Sequence, residues 1–304
     1  TFFGSIVVVR ILSKEEYGLL GYIENIYSYA LIIAGMGLSN AALRYVVISP
    51  PERKRYFQEY IVSHSMIRNI IITGFIIVVN FFIDYPDNFK EAKLWIPVFA
   101  LLIPLQDCVN DSLYSLRALF LNKKYAFFSV LVSSILIIGR IVGAYGCGIK
   151  GVAWSGVIIN MLFCILLVLY TFSLFPSKGK ISLNRKEVRE INIYSFQYMI
   201  TNGLWAMFLL NDIFILGIFC NNPNIVADYK VAYVLPGNIS IFANAIAVFV
   251  CPYFTKNEKN LSWIKDNYKK VYLVTTFVAI LIVSFIIIFA KPLIQLLYGV
   301  QYIN

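Results

Sequence analysis

Long apolar stretches recur along this chain with short polar loops between them, and they restrict its fold more than any other feature. A helix needs about 20 apolar residues to cross the hydrocarbon core of a bilayer. The composition agrees, because 60% of the 304 residues are hydrophobic and only 14% are charged. Within lipid every backbone N–H and C=O must be paired inside its own segment, so the stretches are predicted to be helices. We therefore predict an all-α, polytopic membrane protein.

Nine apolar spans can be placed along the chain, with edges good to a few residues. The chain begins inside the first span and ends just after the ninth, so we expect it to be truncated at both ends. The spans cover about residues 1–12, 17–43, 61–83, 94–116, 126–147, 149–175, 192–219, 229–251 and 271–290.

Lysine and arginine are divided unevenly between the two sets of loops. The loops 44–60, 117–125, 176–191 and 252–270 hold 17 of the 26 basic residues, and the opposite loops hold 5. Because cytoplasmic loops carry the excess of Lys and Arg, the first set is predicted to be cytoplasmic. This topology also accounts for the net charge of +10. Basic residues dispersed between apolar spans do not favour nucleic-acid binding.

The longest polar stretch, about 176–191, follows the sixth span, and we interpret it as a cytoplasmic linker. It would separate a first six-helix bundle at 1–175, with a truncated first helix, from a second bundle at 192–304. The second bundle would be partial, with about three helices.

Two carboxylates in the fourth span are candidates for function. A charged residue at mid-bilayer costs about 2.5–3.5 kcal/mol and normally faces a partner or a watery cavity. Asp107 and Asp111 share one helical face. They could handle a cation or a proton in a central cavity. Alternatively, they could lie near the cytoplasmic end and pair with Arg117 or Lys123.

Glycine and proline predict where two spans depart from regular helix. Pro97 and Pro104 each remove a backbone hydrogen bond, which indicates a kinked fourth span. Gly35 and Gly37 interrupt the interior of the second span.

The fifth span contains an arginine, Arg140, beside glycines that would allow close helix approach, Gly139 and Gly143. A guanidinium suits the geometry of phosphate, so Arg140 could contact a substrate phosphate. It could equally extend to the outer membrane interface.

The seventh and second spans also carry polar side chains. Those of span 192–219 fall on one face and are predicted to line a cavity: Gln197, Thr201, Asn211 and Asp212. The second span carries Glu24 and Asn25, and Arg10 and Arg44 end the first two spans, where they could be interfacial anchors.

The residues for metal or catalytic chemistry are scarce. His64 is the only histidine, and the five cysteines form no CxxC pair. We therefore expect no metal site and no catalytic residue.

Four short motifs resemble the polysaccharide flippase family, in the order in which that family has them. Residues 10–18, Arg-Ile-Leu-Ser-Lys-Glu-Glu-Tyr-Gly, are similar to its first outer loop. The other three resemble the end of its second helix, its seventh and eighth helices, and the loop that closes its ninth helix: residues 37–44, Asp212 with Leu216, Gly217 and 228–233, and residues 291–299 with Tyr302.

This resemblance implies a fold and a transport activity without catalysis. The superfamily also holds multidrug and toxin extruders and lipid II flippases. It implies twelve to fourteen helices in two bundles around a central cavity, alternating access, and a place in the bacterial inner membrane. The implied partners are the bilayer, an oligosaccharide linked to undecaprenyl pyrophosphate, and polysaccharide polymerase and assembly proteins.

The resemblance also implies a cationic cavity. The candidates for substrate binding are Arg10, Arg44, Arg117, Arg140, Gln197, Asn211 and Asn25. The candidates for coupling to a gradient of H⁺ or Na⁺, with no bound cofactor, are Asp107, Asp111 and Asp212.

Two other functions remain open. A drug or metabolite exporter of the same fold would use acidic cavity residues coupled to a cation. A polytopic polysaccharide polymerase or glycosyltransferase would need a substantial loop outside the membrane, and every outer loop here is short. Asp84 and Asp87 are the only acidic pair in those loops that suggests such a role, and a turn explains them as well.

Overall fold

The computed structural model describes residues 2–175, 183–220, 222–233, 237 and 260–302. These residues are helical with no strand among them, which confirms the all-α prediction. Six of the described helices are long and apolar enough to cross a membrane. The protein is therefore a multi-pass membrane protein.

The helices in chain order are α1 (Phe2–Ile11), α2 (Lys14–Ile33), α3 (Leu38–Ala41), α4 (Pro51–Phe82), α5 (Ala92–Ala100), α6 (Leu102–Ala118), α7 (Asn122–Leu174), α8 (Arg185–Cys220), α9 (described over 223–233) and α10 (Leu261–Tyr298). Short 3-10 turns lie at Ala34–Gly37, Asp87–Phe89 and Val300–Tyr302, and a π-helical turn lies at Ala42–Val46.

The chain divides into two compact units, Thr1–Ala227 and Asp228–Asn304. In the second unit, α10 ends at Tyr298, whose buried ring lies 6.4 Å from that of Tyr302. The predicted eighth span, 229–251, lies mostly outside the described residues, as do residues 176–182 of the predicted linker.

Helix α7 is a hairpin of two antiparallel helices. The backbone leaves the helical region at Cys147 (φ −143°, ψ 20°) and Gly148 (φ 58°, ψ −138°). Past this break the chain returns so closely that a Cβ on Gly143 would overlap the carbonyl oxygen of Gly151. The predicted boundary between the fifth and sixth spans and the predicted close glycine contact are both confirmed.

The helix of the fourth span is interrupted between its two prolines, Pro97 and Pro104. Helix α5 contains Pro97 and ends at Ala100, and α6 continues after Leu101. The N–H of Leu101 still reaches the carbonyl oxygen of Pro97 at 3.3 Å, so a helical hydrogen bond continues across the interruption.

The second span breaks where its glycines predict. Gly35 (φ 56°), Met36 (φ 48°) and Gly37 (φ 76°) all lie in the left-handed region, which side chains with a Cβ adopt only at a cost. The helix resumes as α3 and widens into the π-helical turn Ala42–Val46. Turns of this kind recur at functional sites in helices, which makes this span a candidate region for function.

Helix α8 packs along α2 within the first unit, although we assigned it to the second bundle from the sequence. Near the predicted cytoplasmic ends an apolar cluster joins α8 to the second, third and fourth spans. Its buried members include Leu38, Ala41, Val46, Phe57, Ile61, Ala118 and Ile191.

Candidate functional site

A stripe of buried polar side chains runs along one face of α4. Its members are spaced by seven, four, four and seven residues, which places them on one side of a helix. Each is almost fully buried: Gln58, Ser65, Asn69, Thr73 and Asn80. We did not single out these residues from the sequence, although their spacing within an apolar span was a signal that could have revealed them.

The part of this stripe toward the C-terminal end of α4 bonds to the fourth span. Thr73 donates to the carbonyl oxygen of Ala100 at 3.1 Å, and Asn80 donates to that of Lys93 at 2.9 Å. These two side chains therefore have a structural role. Ser65 and Asn69 instead face the acidic residues of α6.

Asp107 lies at the centre of a buried hydrogen-bond network. Its carboxylate accepts from Ser39 Oγ at 3.2 Å, from Asn69 Nδ2 at 2.6 Å and from Ser65 Oγ. Only 8% of the residue is exposed. Three donors from α3 and α4 compensate for the loss of water around one negative charge.

Asp111, one turn further along α6, has a different environment. It is 1% exposed, and neither of its carboxylate oxygens accepts a hydrogen bond from the described residues. The nearby hydroxyls of Ser112 and Ser115 donate to backbone carbonyl oxygens of their own helix. Neither Asp107 nor Asp111 forms an ion pair with Arg117 or Lys123. The structure thus brings the two predicted acids together inside the protein.

The break in the second span is bonded directly to this network. The N–H of Gly35 donates to Asn69 Oδ1 at 2.6 Å. A Cβ on Gly35 would lie 2.9 Å from Ser65 Oγ and would overlap the carboxylate of Asp107. The absence of a side chain at Gly35 is therefore what allows the acid to approach the broken backbone.

Arg140 bonds to an acidic residue of α2. Its guanidinium donates to the carboxylate of Glu24, and 41% of the arginine side chain stays exposed. On α2, the helix of Glu24, Tyr27 donates to Gln106 Oε1 at 2.5 Å, and Asn25 donates to the carbonyl oxygen of Leu210 at 3.0 Å. Arg140, proposed from the sequence as a phosphate contact, is therefore charge-compensated in this conformation.

Arg44 and Arg117 lie at the predicted cytoplasmic ends of the second and fourth spans, each beside tyrosine rings. The Arg44 guanidinium carbon lies 4.8 Å from the ring centre of Tyr194, and that of Arg117 lies 5.1 Å from that of Tyr125. Both arginines are exposed. Of the acidic residues that the structure describes, none forms an ion pair with either.

Another cationic contact, which the sequence did not suggest, anchors the start of α8 on α4. Arg68 donates to Asn192 Oδ1 at 2.8 Å, and Tyr60 donates to the same oxygen at 3.1 Å. Arg53 makes two hydrogen bonds to Glu187, of 2.7 and 2.8 Å. These bonds explain why α8 lies within the first unit.

The remaining candidates do not join the buried network. Asp212, which we expected in a cavity lining, is exposed on α8. The other exposed candidates are Gln197, Asn211 and Arg10.

The loop between α4 and α5, which is predicted to lie on the outer side, has an ordinary surface arrangement. Lys90 Nζ lies 2.6 Å from the Asp87 carboxylate, and this hydrogen bond lowers the pKa of Asp87. Tyr85 donates to Asn80 Oδ1 at 2.9 Å, and burial raises the pKa of its phenol to about 12. Asp87 is thus engaged in a local ion pair.

Metal-ligating side chains do not cluster in the described part of the chain, where no three His, Cys, Asp or Glu residues come together. Cys108 and Cys164 are buried thiols, whereas Cys147 and Cys220 are exposed thiols. Cys251 lies outside the described residues.

Comparison with known proteins gives one match. The model of a family described as "Polysaccharide biosynthesis protein" matches residues 1–258, which is most of the chain. A search of curated proteins and a search of solved structures each returned no match.

Proposed function

The chain belongs to the polysaccharide biosynthesis protein family, and from this premise we propose that it flips lipid-linked oligosaccharide repeat units across the bacterial inner membrane. The carrier lipid is undecaprenyl pyrophosphate, and the product serves a surface polysaccharide such as O-antigen or capsule. The physical task is to carry a charged head group across about 30 Å of hydrocarbon. A polar path through the helices lowers that barrier without breaking a bond, so the protein acts as a transporter and not as an enzyme.

The observation that carries this proposal is the pair of exposed arginines, Arg44 and Arg117, on the cytoplasmic side. A guanidinium binds phosphate oxygens through two parallel hydrogen bonds, and tyrosine rings offer a surface for sugar. Both groups flank the apolar cluster where the second, third and fourth spans meet α8. In this proposal they receive the pyrophosphate from the cytoplasmic leaflet.

In this scheme Arg140 binds the phosphate after Arg44 and Arg117 have received it. Its pairing with Glu24 keeps the charge compensated inside the membrane while no substrate is bound. A phosphate that displaces Glu24 would receive the same guanidinium deeper in the protein. Asn25, which lies one residue further along α2, would help to bind the sugar, with Gln197 and Asn211 of α8.

A cation gradient supplies the energy in this scheme. The acidic candidates for coupling to H⁺ or Na⁺ are Asp107, Asp111 and Asp212. Polysaccharide polymerase and assembly proteins are the proposed partners on the outer side of the membrane.

The test is deletion of the gene in its host, followed by extraction of lipid-linked repeat units and measurement of surface polysaccharide. We expect complete lipid-linked units to accumulate while the surface polymer is lost. If the surface polymer is unchanged and the cells retain more drug or dye, the flippase proposal is rejected in favour of an exporter. Incomplete units would indicate a glycosyltransferase.

A further inference from the structure

The surroundings of Asp107 and Asp111 on α6 cannot stabilise a negative charge on both side chains at once. Asp107 accepts from three donors. Asp111 accepts from none of the described residues, because the hydroxyls that lie near it, those of Ser39 and Ser65, donate to Asp107 instead. Two buried carboxylates one turn apart repel each other strongly, because little water screens them. A pair of this kind keeps one proton, as paired carboxylates in other buried sites do.

Within the described part of the chain, no basic side chain forms an ion pair with either acid. The buried thiols of Cys108 and Cys164 lie close to the pair, and Cys164 acts electrostatically on Asp111. The phenols of Tyr27 and Tyr114 lie near Asp107. All of these groups are neutral or acidic.

Basic groups on the elements packed around α6 have other contacts. Arg140 of α7 bonds to Glu24, Arg68 of α4 bonds to Asn192, and Arg44 of the π-helical turn lies over Tyr194. The His64 ring stacks on Tyr60, with centres 3.9 Å apart. Arg117, on α6 itself, lies over the ring of Tyr125.

We propose that Asp111 and Asp107 bind one exchangeable proton, held on Asp111, and that its occupancy controls the break in the second span at Ala34–Gly37. The site takes a proton from water and returns it to water, so Asp111 alternates between carboxylic acid and carboxylate. The role of this proton in transport rests on the proposed function, whereas the binding of the proton does not.

The connection to the break follows from the bonds around Asp107. Ser39, just after the break, donates to this carboxylate, and Asn69 joins it to the N–H of Gly35. When the proton leaves Asp111, a second negative charge appears one turn away. That charge needs donors or water, and the irregular backbone from Ala34 to Val46 is already bonded to this network through Gly35 and Ser39. Release of the proton therefore loosens this segment.

The first measurement is infrared spectroscopy of the full chain in lipid nanodiscs during a pH titration. We expect the carbonyl band of a protonated carboxylic acid, which disappears as pH rises and is missing in Asp111→Asn. Asp87→Asn, which changes an exposed carboxylate in the outer loop, should keep the band. Loss of the band in Asp212→Asn but not in Asp111→Asn would overturn the assignment.

The second measurement is hydrogen exchange of the amides of residues 34–46, corrected for the intrinsic effect of pH. Exchange should accelerate as the infrared band disappears in the wild type, and should not depend on pH in Asp111→Asn. If the corrected exchange rates of these amides do not change with pH in the wild type, the proton does not control the break in the second span. A midpoint that shifts with Na⁺ at constant ionic strength would replace the proton with a metal cation and overturn the proposal.

A third variant keeps the test decisive if Asp111→Asn does not fold. Asp107→Asn removes the repelling charge, so the midpoint of the remaining acid should fall to lower pH, and an unchanged midpoint would contradict the shared proton. None of these measurements needs substrate. Failure of the flipping assay with a persistent band would therefore reject the proposed function and leave the proton site standing.

Discussion

The hydroxyl of Thr73 lies 3.1 Å from the carbonyl oxygen of Ala100 and donates to it. That carbonyl would normally accept the N–H of residue 104, which is a proline and has none. The same relation recurs seven residues away, where Asn80 donates to the carbonyl oxygen of Lys93, four residues before Pro97. The part of the stripe toward the C-terminal end of α4 thus supplies the hydrogen bonds that two prolines remove from the neighbouring span.

This relation predicts that Thr73→Val destabilises the protein by about 1–3 kcal/mol, because a buried carbonyl loses the donor that replaces the missing N–H. In a Pro104→Ala background the new N–H can bond to Ala100, so the same change should cost roughly 1 kcal/mol less. The wild type, the two single variants and the double variant form a double-mutant cycle. Their free energies of unfolding in lipid nanodiscs give the coupling between positions 73 and 104.

Thr171→Val is the matched control for this cycle. Thr171 is equally buried, but its hydroxyl donates to carbonyl oxygens of its own helix, which also accept backbone N–H groups. Its loss should cost less than that of Thr73. If Thr73→Val and Thr171→Val destabilise the protein equally, Pro104 does not explain the role of Thr73. The same conclusion would follow if the effects of Thr73→Val and Pro104→Ala on stability were strictly additive.

The α7 hairpin predicts opposite effects for two nearby glycines. In Gly143→Ala the new Cβ would overlap the carbonyl oxygen of Gly151, and we expect a loss of about 1–3 kcal/mol from overpacking against backbone. In Gly146→Ala the Cβ meets open space, and the better helix propensity should stabilise the protein by up to about 1 kcal/mol. Thermal unfolding of the purified variants gives both signs, and a stabilising Gly143→Ala would argue against the hairpin contact.

The sequence predicted features that depend on one segment at a time. Apolar length located the spans, and residues with unusual backbone freedom or restriction, such as Gly35 and Pro104, located the breaks. The pairing of groups between spans could not be predicted, because apolar helices give no register. For this reason the bond from Ser39 to Asp107 and the binding of Arg140 to Glu24 appear only in the structure. The docking of α8 on α2 was missed for the same reason, since the polar linker suggested a boundary before it.

If Arg140 binds the substrate, substitutions of Arg140 and of Glu24 should affect flipping differently. Arg140→Gln should reduce flipping roughly 10- to 100-fold, because a hydrogen bond to a charged group contributes about 1.5–3 kcal/mol. Glu24→Gln removes the competitor for the guanidinium and should retain flipping or increase substrate affinity. Flipping of lipid-linked oligosaccharide in proteoliposomes measures both.

The reversed pair, Glu24→Arg with Arg140→Glu, separates this role from a structural one. It keeps an ion pair between α2 and α7 but moves the cation to the other helix. A purely structural pair would give equal losses in the two single variants and recovery in the reversed one, and this outcome would exclude Arg140 from the substrate path.

Arg44 and Arg117 predict a defect in substrate capture at the cytoplasmic surface. Arg44→Ala and Arg117→Ala should each weaken binding of the pyrophosphate head group roughly tenfold, the equivalent of about 1.4 kcal/mol. Lysine at either position should restore part of the affinity, since it keeps the charge but loses the paired geometry. Because Lys90 lies in the outer loop beside Asp87, Lys90→Ala should leave binding unchanged. Binding of a lipid pyrophosphate to protein in nanodiscs is the direct readout. If the alanine variants bind as the wild type does, the head group enters elsewhere, and the tyrosines at these arginines, such as Tyr194 and Tyr125, serve only to pack them.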